Sequence, residues 1–251
     1  MRPVVPNDRS TDESGTSAAH GGQTPAAHTG PRVETLFAGG ISPVGPAGYL
    51  SGIRKRRLDG PAEITVEGVV GDEIFDRSVH GGPDRAMNVF AREYYEQLKA
   101  AFPEPEEPWQ PGGFGENLSI SGLLDHEVRV GDVFRVGEVL LQVTQPRAPC
   151  AKLNGRFGLN RLARHVQQHR MTGWYVRVLA EGRIAAGEPM VLVSRGDEAY
   201  TLDRFWDLVL NHESPDREAL ARLAAYEPLA QEWKDKLTQR VDRLRAKAGA
   251  A

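Results

Sequence analysis

The chain has 251 residues, 40% hydrophobic and 26% charged, which is enough apolar material for a core in one large domain or two smaller ones. Its formal net charge of −3 gives no electrostatic reason to expect nucleic acid or an acidic membrane surface as partner. No apolar run approaches the roughly 20 residues that span a bilayer, and one cysteine without an export signal points to the reducing cytoplasm.

Residues Met1 to Arg32 are rich in Gly, Pro, Ser, Thr and Ala. Burial there cannot offset the entropy of ordering, so a disordered tail is predicted. From 33 to about 198 the signals are short strands and glycine-bearing turns. Glu63 to Glu67 alternates, with Ile64 and Val66 on one face. A helix is predicted over Ala91 to Phe102. Val128 to Val136 and Val139 to Val143 read as two strands joined at Gly137-Glu138. Leu159, Leu162, Ala163 and Val166 carry helical spacing. Trp174, Val176 and Val178 alternate again, and Met190 to Val193 closes the region. Many short strands with inserted helices predict a mainly β fold, a closed or nearly closed barrel.

The pattern changes over 199–251. Leu202, Phe205, Leu208 and Val209 form one apolar stripe. Ser214-Pro215 is read as an N-cap followed by proline at the first helical position, ahead of Leu220, Leu223 and Ala224. Leu229, Trp233, Leu237, Val241 and Leu244 make a third stripe, so a small three-helix bundle is predicted.

Three polar segments fit neither strands nor helices. In His80-Gly81-Gly82-Pro83-Asp84-Arg85 the glycines free the backbone to approach a ligand, and His80 and Arg85 are donors suited to an anion. In Gly112-Gly113-Phe114-Gly115-Glu116-Asn117, Asn117 offers a donor and an acceptor to a heterocycle edge, and Gly115 frees the chain beside it. Either segment alone also suits an ordinary turn. The third, Gln145-Pro146-Arg147-Ala148-Pro149-Cys150, holds the only cysteine in a loop stiffened by proline. Cys150 cannot make an internal disulfide. It is either a small buried hydrophobe or, with the Arg147 charge nearby favouring thiolate, a metal ligand or nucleophile.

In order and spacing, the Gly71-Asp72 turn, His80 to Ala86, Phe114 to Leu118, Gly131-Asp132 and Gln145 to Cys150 resemble a MOSC domain. More narrowly, with the helical segment from about Tyr200, they resemble its bacterial YiiM-like branch. The resemblance covers nearly all of the chain except the N-terminal tail. It implies a MOSC-type β-barrel holding a molybdenum cofactor (Mo-molybdopterin), followed by a three-helix domain. It further implies reduction of N-hydroxylated compounds such as hydroxylaminopurines. By the same resemblance Cys150 is the metal's protein thiolate. Arg85, Arg147 and His80 hold the phosphate or pterin, Asn117 lies near the ring or oxo ligand, and Gly81 and Gly115 belong to the cofactor-binding loops. His80 is also a candidate proton source.

The chain has too few cysteines for an iron–sulfur cluster, which needs about four, and no glycine fingerprint of a flavin-binding βαβ unit. Electrons are therefore expected from a separate reductase. Two other readings stay open: a sulfur carrier with a persulfide on Cys150, and a pterin- or anion-binding module without turnover. A homodimer through the helical segment is compatible with the sequence.

Overall fold

The computed structural model describes residues 30–75 and 81–249. The expectations for residues 1–29 and for His80 lie outside these residues. Pro31 and Arg32, which composition assigns to the tail, belong to the sheet: β1 spans Arg32–Ala38, and Pro31 O accepts from Met190 N at 2.8 Å.

The largest sheet has eight strands. Besides β1 it contains β4 (Arg56–Arg57), β7 (Met87–Ala91), β8 (Leu118–Ser121), β9 (Val133–Val136), β10 (Val139–Pro146), β11 (Trp174–Ala180) and β13 (Met190–Ser194). Their order is β13-β9-β10-β11-β7-β8-β1-β4, and only β7 and β8 pair in parallel. The expected barrel is not a closed ladder. The sheet curls until β1 meets the approach to β13, where Val33 N donates to Glu188 O and Gly187 N to Val33 O, beside the single bridge Arg32↔Pro189. A hairpin of β2 (Ser42–Val44) and β3 (Tyr49–Ser51) lies apart from this sheet. So does a small sheet of β5 (Ala62–Thr65), β6 (Gly68–Val69) and β12 (Gly182–Ile184).

The alternation in β11 holds: Trp174, Val176 and Val178 are buried while Leu179 is exposed. Two strands are shorter than predicted. Val66 is half exposed in the turn after β5, its N–H taken by Glu181 Oε1, so it shares no buried face with Ile64. Val128 to Asp132 lies outside β9. Asp132 is fully buried there, accepting from Arg129 N and Gly196 N, and Gly131 has φ +92°, which bends the chain away from a strand.

Helix α1 spans Glu93–Ala101, and Ala91 ends β7 instead of opening the helix. Helix α2 (Ala151–Phe157), absent from the sequence reading, begins directly after Cys150, and α3 spans Leu162–Gln168. The C-terminal helices are α4 (Leu202–Leu210), α5 (Arg217–Ala224) and α6 (Gln231–Gly249). The cap of α5 is Asp216, whose Oδ1 accepts from Ala219 N at 2.9 Å; Ser214 instead donates its N–H to Asn211. A side-chain oxygen must reach the N2 or N3 amide to cap a helix, and Ser214 lies too early to do so.

Leu202, Phe205, Leu220, Leu223, Leu237 and Val241 belong to the same buried cluster as Leu36, Val89, Leu141 and Trp174 of the sheet. The three helices therefore share one core with the sheet. A second cluster beneath α1, α2 and α3 centres on Phe90 and Phe114, which stack with ring centroids 4.4 Å apart.

Candidate active site

Where β10 ends and β7 and β11 begin, the chain leaves a cleft lined by Cys150, Arg147, Arg85, Asn117 and Gly115. Five of the seven candidate residues thus meet in one place. Gly81 is not among the lining residues, and His80 lies outside the described ones.

Antiparallel pairing sets the cleft wall: Pro146 faces Trp174 and Gln145 faces Tyr175, while Tyr175 also faces Asn88 of β7. Arg147 N then donates to Gly173 O at 2.9 Å, and three residues later Cys150 occupies the N-cap position of α2, half-buried. Pro149, three residues beyond the end of β10, has no N–H to extend the ladder, and Cys150 after it lines the cleft.

Arg147 is 6% exposed, and its Nη1 is buried with no hydrogen-bond partner. Its guanidinium stands over the Phe114 ring, 5.8 Å from the centroid. Asn88 Oδ1, on the same cleft, is likewise buried and unpartnered. A buried guanidinium nitrogen lacking an acceptor is costly, so the site suits a ligand with anionic oxygens. Arg85 is held from several sides: Nε donates to Gln145 Oε1 at 3.3 Å, Nη2 pairs with Glu232, and the cation lies 5.8 Å from the Tyr175 ring centroid.

Asn117 has less to offer a ligand than its position suggests. Its Nδ2 donates to Phe37 O at 3.2 Å and to Asp72 Oδ2 at 2.8 Å, and its Oδ1 accepts from Asn88 N at 3.1 Å. It pins β1 and β7 together and fixes Asp72. Gly115, at φ +73°, is required by the chain itself, because a Cβ there would lie 2.7 Å from Ile53 Cγ1.

The loop carrying both residues folds around Glu116. This fully buried carboxylate accepts from Gly112 N at 2.6 Å, Phe114 N at 3.1 Å and Tyr95 OH at 2.7 Å. Burial raises its pKa against those bonds.

Sequence reasoning missed Lys55 and gave Asp72 no role. Lys55 Nζ pairs with Asp72, whose Oδ1 also accepts from Gly39 N at 2.9 Å, and both side chains are less than a tenth exposed. The run Arg54-Lys55-Arg56-Arg57 was the available signal, since four cations in succession do not suit an ordinary buried strand. Lys152 completes the cleft's cations, its Nζ 5.7 Å from the Phe75 ring centroid. Among the described residues, four cationic side chains and the carboxylates of Asp72 and Glu73 line the cleft.

A curled β sheet with a lone cysteine at a strand exit, a cationic cleft and three helices packed on the same core defines a two-part architecture. Residues 76–191 match the MOSC domain, and residues 209–244 match the YiiM-like, 3-alpha helix domain. Protein YiiM of Escherichia coli strain K12 is 45% identical over 150 residues, covering 60% of this chain and 67% of that protein. The uncharacterized protein YflK of Bacillus subtilis strain 168 is 36% identical over 194 residues, covering 77% and 86%. The crystal structure of YiiM from Geobacillus stearothermophilus superposes with a TM-score of 0.70 at 27% identity, covering 84% of this chain and 99% of that one. The chain belongs to the YiiM-like family of MOSC-domain proteins.

Proposed function

We propose that the protein is a molybdenum-cofactor-dependent reductase that converts N-hydroxylated compounds, such as hydroxylaminopurines, to the amine, with electrons from a separate reductase. The observation that carries this reading is the pairing, on one cleft, of the lone thiol of Cys150 with the buried, unpartnered Nη1 of Arg147. MOSC domains are associated with molybdenum-cofactor binding, and a relative from Gibberella moniliformis bears the name "Reductase". It is 37% identical over 146 residues, which are 58% of this chain and 26% of that longer protein.

The residues present fit the group. Cys150 supplies the soft sulfur donor that suits a redox metal, and Arg147 supplies donors for phosphate or other anionic oxygens. When bound, the cofactor supplies the two-electron redox chemistry. The chain contributes the rest: Arg147, Arg85 and Lys152 hold negative charge, and the rings of Phe114, Phe75 and Tyr175 brace those cations.

The test is elemental analysis and turnover of protein purified from a host that makes the cofactor. Near-stoichiometric molybdenum and reduction of a hydroxylaminopurine are expected. Loaded protein without turnover would favour a binding module. Protein without molybdenum that carries a persulfide on Cys150 would favour the sulfur carrier.

A further inference from the structure

The proposed reaction consumes two electrons and two protons: the N–O bond breaks, nitrogen keeps the amine, and the oxygen leaves as water. Electrons enter from the separate reductase, but a proton must reach the departing oxygen from a group on the cleft. Among the described residues lining it, Ser51, Lys55, Asp72, Glu73, Lys152 and Tyr175 can carry an exchangeable proton. Asp72, Glu73 and Ser51 accept from Gly39 N, Ile41 N and Ile53 N, and the Tyr175 ring is set against the Arg85 cation. Arg85 and Arg147 cannot deprotonate at any working pH. Asn117 has both amide hydrogens committed to Phe37 and Asp72. Lys152 is partly exposed, its Nζ donating to Leu50 O at 3.4 Å and set against Phe75.

Lys55 differs from each of these. It lines the cleft while its side chain is only 7% exposed, and its ammonium is held by Asp72, which Gly39 N and Asn117 Nδ2 fix in turn. Such a chain of bonds locks a flexible lysine in one place, as a proton donor requires. We propose that Lys55 is the acid of this site. It gives its proton to the hydroxyl oxygen as the N–O bond breaks and is recharged from solvent, while Asp72 orients the ammonium.

The electrostatics support the assignment. Burial pulls the Lys55 pKa below the ordinary lysine value, Asp72 and Glu116 act to raise it, and Arg147 lowers it further. A lysine whose pKa is lowered in this direction is a better acid than a solvated one. The proposal rests on the reductase reading above.

Wild type, Lys55→Arg and Lys55→Met should be purified from the cofactor-producing host and compared in molybdenum content, kcat, KM and pH profile. The Lys55 titration should be followed separately by carbon NMR on isotopically labelled lysine. Both variants should keep wild-type molybdenum and KM and lose about 100-fold or more in kcat, the range of general acid catalysis. Arginine should be no better than methionine. Wild-type kcat should fall as pH rises through the NMR midpoint, itself below the ordinary lysine value.

Full kcat in Lys55→Arg, loss of molybdenum from both variants, or an ordinary lysine titration would each overturn the assignment. The first result leaves the reductase reading standing. Wild-type protein with neither molybdenum nor turnover overturns that reading, and the acid role with it.

Discussion

Arg85 and Glu232 form an ion pair across the two matched segments, with the arginine on the cleft of the MOSC domain and the glutamate in the first turn of α6. Asp84 reinforces the joint by accepting from Gln231 N at 2.8 Å and pairing with Arg177 at 2.8 Å. The helical segment thereby holds a cation of the candidate site. Burial acts to raise the Glu232 pKa, yet bonding to Lys236 and the charge of Arg85 outweigh it and leave the pKa lowered.

Glu232→Ala should therefore barely change thermal stability, since a pair with one partner 39% exposed contributes about 0–1 kcal/mol. Cofactor retention should weaken, and Arg85→Ala combined with Glu232→Ala should be no worse than Arg85→Ala alone. Additive losses in a double-mutant cycle on molybdenum content would show that Glu232 does not act through Arg85.

Cys150→Ala should abolish molybdenum retention and turnover with little effect on melting temperature, because the side chain is half-buried and no other cysteine can replace it. A metal-loaded, active Cys150→Ala protein would remove the thiolate from the site.

Arg147→Met should separate stability from binding. Methionine fills the space over Phe114 and removes a buried nitrogen without a partner, so the cofactor-free protein should melt no lower than wild type. Cofactor occupancy should fall, since a charge-assisted bond to an anion is worth about 1.5–3 kcal/mol. A lower melting temperature with unchanged occupancy would make Arg147 a structural cation.

Asp125 supplies a pH signature. It is fully buried, accepting from Thr172 N, Thr172 Oγ1 and Gly173 N on one oxygen, yet burial pushes its carboxyl up from 3.8 to about 6. Between those values the folded protein holds a proton that the unfolded chain has released. The stability this provides is full below 3.8 and is lost as pH rises through about 6. It amounts to about 3 kcal/mol at most, taking about 1.36 kcal/mol per unit. The melting-temperature advantage of wild type over Asp125→Asn should be largest at the acid end of that window and shrink across it. An advantage independent of pH would contradict the raised pKa.

A chain ending near Ser194 should not fold as a stable domain. Removing α4, α5 and α6 strips Phe205, Leu220, Leu223 and Leu237 from the cluster that contains Leu141 and Trp174. Each fully buried side chain of this size is worth about 1.5–3 kcal/mol. A soluble truncated protein with a cooperative melt and a retained cleft would show that the sheet is self-sufficient.

The sequence made β10, β11, β13 and the three C-terminal helices readable because their apolar residues repeat at period two or near period four. Cys150, Arg147 and Arg85 were equally plain, being chemistry-bearing residues in loops with glycine or proline. The rest turned on long-range partners. Asn117 looked free until Phe37, Asp72 and Asn88 came to surround it, and Lys55 drew no attention because its partner Asp72 lies 17 positions away. Helix α2 was hidden because its seven residues include a glycine and carry too few apolar positions to show a stripe.

The seam between β1 and the approach to β13 joins the beginning of the described chain to a segment near residue 190. As the polypeptide leaves the ribosome, β1 must wait for almost the whole sheet to be synthesised before it meets that partner. The apolar face that α4, α5 and α6 cover waits longer still. Closure therefore depends on contacts far apart in sequence, which slows folding and keeps unfinished strand edges exposed during synthesis. Demand for chaperones should be greatest late in translation, between completion of β13 and arrival of α6.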